Sequence, residues 1–225
     1  RRALSTTLLG GQVLVHLLGG KVHHRNTLEQ MAVIGPGSLM IVVLAALSVG
    51  MVFTIQVARE FLKLGAGNTV GGVLAIALSR ELSPTLTAVV LAGRVGSAFA
   101  AEIGTMKVTE QIDALYMLKT DPINYLVIPR LIACCLMLPV LTIISIITGL
   151  AGGLLMARSL YSERIPTNVF LDSVQNFMEP WDVFSAAIKA ICFGALIALI
   201  GCNWGLTTTG GAKGVGESTT DAVVT

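Results

Sequence analysis

Charge is scarce in this chain: 12% of its 225 residues are Asp, Glu, Lys or Arg, while 54% are hydrophobic and the mean hydropathy is +0.80. That balance excludes an ordinary soluble domain and assigns the chain to a membrane. The few basic residues are scattered between apolar runs and the net charge is only +2, so no nucleic-acid partner is implied. Cysteine is sparse as well. Cys134, Cys135, Cys192 and Cys202 all fall within apolar runs and lack C-x-x-C spacing, which argues against a zinc site or a disulfide framework and reads as small buried hydrophobes. Catalytic signatures are missing too. Gly210-Gly-Ala-Lys-Gly-Val-Gly-Glu-Ser218 has the wrong spacing for a phosphate-binding loop, and neither H-E-x-x-H nor G-x-S-x-G occurs. The chain reads as non-enzymatic, with no cofactor and no metal of its own, and its glycine-rich tail as a flexible connection.

What the chain has in abundance is uncharged length. Met31–Ala58, Leu131–Ala157 and Ala190–Ala212 each match or exceed the roughly 20 residues that cross a bilayer. Thr69–Ala101 makes a fourth run, roughly 50 Å long as a helix, which must tilt, kink or protrude; Pro84 supplies a reason for a kink. The expected fold is all-α and polytopic, one domain over 1–225. It comprises an interfacial segment 1–30, spans at 31–58, 69–101, 125–157 and 181–206, a polar region 102–120, a short helix 166–180 and a tail 207–225. Lys and Arg near the span ends divide eight (Arg1, Arg2, Lys21, Arg25, Lys107, Lys119, Arg130, Lys213) against four (Arg59, Lys63, Arg158, Arg164). That bias puts the N-terminus, the 102–130 loop and the tail on the cytoplasmic or stromal side. The chain opens on Arg1 instead of Met, which leaves room for an upstream segment such as a transit peptide. Asp221-Ala-Val-Val-Thr225 reads as the start of a further span.

Three segments look helical without spanning. Ala3–Leu18 carries Ser5, Gln12 and His16 in one narrow stripe, which suits a helix at the membrane interface; a short first span is the alternative. Between Pro166 and Pro180, Phe170, Leu171, Val174, Phe177 and Met178 form an apolar face opposite Asp172, Ser173, Gln175, Asn176 and Glu179. After Glu102, Val108, Ile112, Leu115 and Tyr116 share a face, with Lys107, Glu110, Gln111, Asp113 and Lys119 around the remainder. Asp121-Pro122 then caps the next helix. The run after Glu102 is either a solvated loop helix or a knob for a cytoplasmic partner.

Arg80 and Glu81 are the sharper clue, because each charge near the bilayer centre costs on the order of 2.5–3.5 kcal/mol even on the lenient scale. Glu81 falls about 18 Å along its helix, near the midplane of a hydrocarbon layer roughly 30 Å thick. Their i+4 neighbours are Pro84 and Thr85, so a partner must come from another helix, and Lys189 is the natural candidate for Glu81. Two readings stand: a buried pair that fixes helix register, or a polar spot lining a cavity where Arg80 or Lys189 meets an anionic head group. Arg94, about 12 Å before Glu102, can reach the interface or its lipid phosphates and reads as an anchor. Ala88, Ala92, Gly96, Ala100 and Gly104 recur every four residues, with Gly93, Ser97 and Ala101 beside them. This face permits close packing within the subunit or across a homodimer, and Gly149 and Gly153 repeat the idea.

Four stretches carry a resemblance over nearly the whole chain: Ser79-Arg-Glu-Leu-Ser-Pro84, Ala92-Gly-Arg-Val-Gly-Ser-Ala-Phe-Ala-Ala-Glu-Ile-Gly104, Lys107-Val-Thr-Glu-Gln-Ile-Asp-Ala-Leu115 and Trp204-Gly-Leu-Thr-Thr-Thr-Gly-Gly-Ala-Lys-Gly-Val-Gly-Glu-Ser-Thr-Thr220. With them the chain resembles the MCE-associated ABC permeases of MlaE type, nearest the plastid and photosynthetic-bacterial branch. The resemblance implies a homodimeric lipid permease with five spans, in a chloroplast inner envelope or the inner membrane of a photosynthetic bacterium. It implies a coupling helix docked on a separate ABC ATPase that binds ATP and Mg, and an MCE-domain protein on the other face that receives or delivers phospholipid. It places Arg80, Glu81 and Lys189 toward a lipid cavity, and Glu102–Leu118, with Glu102, Lys107, Glu110, Ile112, Asp113, Leu115 and Tyr116, at the ATPase. An ion-coupled carrier using Glu81 and a membrane scaffold for an MCE protein are the competing readings.

Overall fold

The computed structural model describes residues 9–13 and 24–225. Within them it is all-α, with no strand among the described residues. Residues 9–13 are helical; the rest of the amphipathic segment expected over Ala3–Leu18 lies outside the described residues. Four helices are long and apolar enough to cross a membrane: α1 (His24–Lys63), α2 (Gly67–Val108), α4 (Ile123–Leu160) and α6 (Pro180–Leu206). Three shorter ones join or follow them: α3 (Gln111–Met117), α5 (Thr167–Phe177) and α7 (Gly211–Val224).

Pro84 does not break α2. The helix widens into a π turn at Leu78–Leu82, and Ser83 N–H bonds back to the Leu78 carbonyl, five residues earlier. A second π turn, Ile123–Val127, likewise ends two residues before a proline, Pro129. Proline lacks the N–H that would reach the carbonyl four residues back and its ring presses on that carbonyl; an extra residue in the preceding turn relieves both. The third π turn, Ala92–Gly96, carries Arg94.

The described chain forms two compact units. The first comprises Leu39–Thr87 and Leu138–Ala190. Its core is a stripe of α2, Val70, Leu74 and Leu78, packed with Ala58, Ala157, Ile165 and Phe170. Helices α1 and α4 approach backbone to backbone here: a Cβ on Gly152 would sit 2.5 Å from the Leu47 carbonyl oxygen, and one on Gly50 would collide with the Gly149 carbonyl. Helix α5 lies over the start of α2 because Gly71 and Gly72 expose backbone, and Gly72 N–H donates to Ser173 Oγ at 2.8 Å. The expected apolar face of α5 is the one that packs, with Phe170 buried, Val174 against the core and the Phe177 ring beside Gly72. Ser173, placed on the opposite face by the sequence pattern, is buried as well, because its hydroxyl satisfies a backbone donor of α2, while Leu171 is exposed.

The second unit comprises Ala88–Met137, Ile191–Thr225 and the described residues up to Ser38. The small-residue ladder of α2 is used inside the subunit. A Cβ on Gly201 of α6 would lie 2.8 Å from the Gly96 carbonyl, Gly205 faces Ile103, and Thr208 covers Gly104. The tail departs from expectation, because α7 is an ordered helix instead of a flexible connection. Gly210 and Gly211, at φ 90° and 69°, reverse the chain, after which Ala222 packs with Ala100 and Trp204, and Thr208 Oγ1 donates to Ser218 Oγ at 2.9 Å. Cys134 and Cys202 are buried as read, but Cys192 is exposed.

The polar run after Glu102 is also not one helix. Residues 102–108 continue α2, the chain turns at Glu110 in the left-handed region (φ 61°), and α3 is confined to Gln111–Met117, closed by Lys119 at φ 55°. The shared face drawn from Val108 to Tyr116 is therefore split. Ile112 is 3% exposed, while Tyr116, Met117 and Leu118 project outward. Asp121 caps α4 as its sequence suggested, its Oδ1 accepting from Ile123 N–H at 3.0 Å.

Gly152→Leu should wedge α1 from α4 and lower the melting temperature by at least about 5 °C, since overpacking between backbones costs roughly 1–3 kcal/mol or more. Gly216→Ala, which meets nothing within 4 Å, should stay within about 2 °C of the parent in the same differential scanning measurement.

Candidate functional site

In the first unit, the π turn of α2 sets Arg80 and Glu81 against the beginning of α6. Glu179 precedes that helix, Pro180 opens it, and the Asp182 carboxylate reaches back to accept Glu179 N–H through Oδ2 at 3.2 Å. The other Asp182 oxygen, Oδ1, accepts from Arg80 Nε at 2.7 Å. Asp182 is buried, its side chain only 3% exposed, so a paired guanidinium and a capped amide are what allow it to stay there. Two helical turns further on, Lys189 Nζ donates to Glu81 Oε1 at 2.9 Å and to the Arg80 carbonyl at 2.7 Å. That carbonyl is the one Pro84 cannot serve, so Lys189 repairs the defect the proline creates.

The result is a quartet of two cations and two carboxylates, neutral as a set. Its members differ in access: Asp182 is enclosed, Arg80 and Lys189 are half-exposed, and the Glu81 side chain is 74% exposed. Leu82, the residue after Glu81, lines an open apolar groove of about 270 Å³ with Ser48, Val49, Val52, Phe53 and Gln56 of α1. A charged cluster and an apolar groove on neighbouring residues of one helix are the ingredients of an amphiphile site. Sequence reasoning paired Lys189 with Glu81 and the structure brings them together. Asp182, in the first turn of α6, is a partner that the sequence analysis does not name. The spacing offers one signal: Asp182 and Lys189 are seven residues apart, two turns on one face of α6, so a helix that meets Lys189 can meet Asp182 as well.

In the second unit, Glu102 pairs with Arg130 of α4 (Oε2 to Nη2, 2.7 Å). Arg130 is almost enclosed, donates also to the Leu126 carbonyl at 3.1 Å, and lies 5.5 Å over the Phe99 ring. Glu102, grouped by sequence with the coupling residues, thus braces α2 against α4. Lys107 and Asp113 are 3.1 Å apart and tie the end of α2 to α3. Arg94 does not extend toward Glu102; its Nη1 donates to Ser38 Oγ at 2.7 Å. Among the described residues no cluster of His, Cys, Asp and Glu suits a metal ion.

Comparison with known proteins gives a consistent picture. The chain is 64% identical over 225 residues to a probable ABC transporter permease protein of Synechocystis, covering 100% of this chain and 85% of that protein. It is 54% identical over 223 residues to the chloroplastic protein trigalactosyldiacylglycerol 1 of Arabidopsis thaliana, covering 99% of this chain and 63% of that protein. A probable ABC transporter permease protein of Porphyra purpurea is 50% identical over 221 residues, with 98% and 83% covered. The family model for permease MlaE matches residues 27–225. Four membrane-crossing helices and a match over almost the whole chain lead to one conclusion: the chain belongs to the MlaE permease family.

Proposed function

We propose that this chain is the membrane subunit of an ABC-type lipid transporter, moving phospholipid or a related polar lipid. The observation that supports it best is the quartet Arg80, Glu81, Asp182 and Lys189 inside an apolar span whose next residue, Leu82, lines an apolar groove. An anionic head group would compete with Glu81 for Lys189 and with Asp182 for Arg80, while acyl chains follow Val49, Val52, Phe53 and Leu82. Glu81, the most exposed member, is the carboxylate most readily displaced.

Energy for transport enters from a separate ATPase, which carries ATP and Mg. The surface offered to it is α3, where Tyr116, Met117 and Leu118 project side by side on the polar, basic-rich side that the Lys/Arg bias assigns to the cytoplasm or stroma. Left-handed turns at both ends of α3 and the Lys107–Asp113 pair tie this knob to the end of α2, the helix that bears Arg80 and Glu81. A second copy of the chain and an extracytoplasmic MCE-domain protein complete the assembly in this reading. Its membrane is the chloroplast inner envelope or the inner membrane of a photosynthetic bacterium, in keeping with the plastid and cyanobacterial relatives.

In vesicles containing the chain and its ATPase, Lys189→Met should lower ATP-dependent transfer of fluorescent phospholipid about tenfold, the worth of one charge-assisted contact. Glu81→Gln should change flux while co-purification is retained; unchanged flux would mean that the quartet only fixes helix register. Flux that follows an imposed proton gradient and ignores inactivation of the ATPase would identify a secondary carrier, and no flux with MCE binding intact would identify a scaffold.

Met117 is 87% exposed and carries no visible packing duty. Met117→Asp should therefore cut recovery of the ATPase in pull-down at least about tenfold without lowering the melting temperature, as loss of a buried interface anchor does. Ile112→Asp, by contrast, should destabilise the chain itself, because it places a charge at a 3% exposed site.

A further inference from the structure

A guanidinium inside an apolar helix ordinarily has a carboxylate to meet it, and Arg94 has none within ion-pair distance among the described residues. Among the described residues its polar contact is the donation from Nη1 to Ser38 Oγ at 2.7 Å. The side chain has also not bent toward the nearer helix end. Glu102, eight residues beyond Arg94, pairs with Arg130, and Arg130 shares a recess with Gln30, eight residues before Ser38. Arg94 and Ser38 therefore lie at one level, both about 12 Å from the Glu102–Arg130 pair, and the charge stays at its own depth.

Its surroundings are shaped for that. A Cβ on Gly37 would come within 2.7 Å of Nη2 and 2.9 Å of Nη1, so a larger residue there would make the guanidinium shift from its present seat on α1. Next to it in the chain, Gly93 has nothing within 4 Å of where a Cβ would be, so there is open space beside the residue that precedes an exposed Arg94. Ser97 Oγ donates to the carbonyls of Gly93 (2.6 Å) and Arg94 (3.1 Å), so those acceptors of the π turn are occupied. Exposed Val33 and Val89 supply apolar surface on the same two helices.

From this we infer that Arg94 is a second anion contact, one that takes the phosphate of a lipid head group against its guanidinium beside Gly93, apart from the charge-balanced Arg80 quartet. The lipid-permease reading supplies only the class of ligand.

The test is retention of lipid by the full chain, purified in detergent micelles doped with equal parts phosphatidylglycerol, phosphatidylcholine and diacylglycerol, and weighed by native mass spectrometry without ATP. Wild type should retain phosphate-bearing lipid, Arg94→Gln about tenfold less, and Arg94→Lys more than half. Ser38→Ala removes the bond between helices but keeps the charge, and should retain lipid. Equal retention by Arg94→Gln overturns the assignment, and so does an equal loss in Ser38→Ala, which would make Arg94 a staple between α1 and α2. Displacement by millimolar inorganic phosphate would assign the site to free phosphate and overturn the head-group form. Lipid on wild type and Arg94→Gln alike sinks the Arg94 contact alone, whereas no lipid on wild type sinks the permease reading with it.

Discussion

Desolvated charge governs this chain more than hydrophobic burial does. In a bilayer the apolar faces of helices gain little by leaving lipid for one another, so what fixes their pairing is the need to satisfy polar groups and to let backbones approach. Both requirements meet at the π turn of α2. Pro84 removes a backbone donor, the helix widens, and the freed Arg80 carbonyl is taken by Lys189, which also holds Glu81, while Arg80 itself is held by the N-terminal cap of α6. Four side chains and one carbonyl thereby set the register of α6 on α2.

The same device accounts for why a structural brace and a binding site can be one object. A neutral quartet of this kind is tolerable in an apolar setting, yet its members are unequally enclosed, with Asp182 sequestered and Glu81 open. An incoming anion can exchange with the open carboxylate without exposing the closed one. The Glu102–Arg130 pair has the opposite balance, with the cation enclosed and the carboxylate outward, and its further bonds go to a backbone carbonyl and a ring. That arrangement suits a fixed brace between α2 and α4.

Glycine does the complementary work. Gly152 against Leu47, Gly201 against Gly96 and Gly71 against Phe170 of α5 let backbones meet where any side chain would hold them apart. Where two left-handed glycines reverse the chain, at Gly210 and Gly211, a tail poor in large hydrophobic residues still becomes an ordered helix, because small faces on α7 and α2 fit closely. Composition alone suggested flexibility there; the packing surface that overrides it belongs to another helix.

Hydropathy by itself determined the four spans, because crossing a bilayer demands a length and apolarity that, among the described residues, these four helices have. It also exposed Arg80 and Glu81 as groups in need of partners, and Lys189 as one of them. Tertiary structure decided the rest. Asp182 could serve Arg80 only once the start of α6 was set beside the π turn. The 102–118 run broke at Glu110 through a backbone conformation that no glycine announced, and Ser173 turned inward for an amide on α2. Each of these depends on a donor, an acceptor or a gap presented by a distant helix, and residue order carries no direct record of which helix that will be.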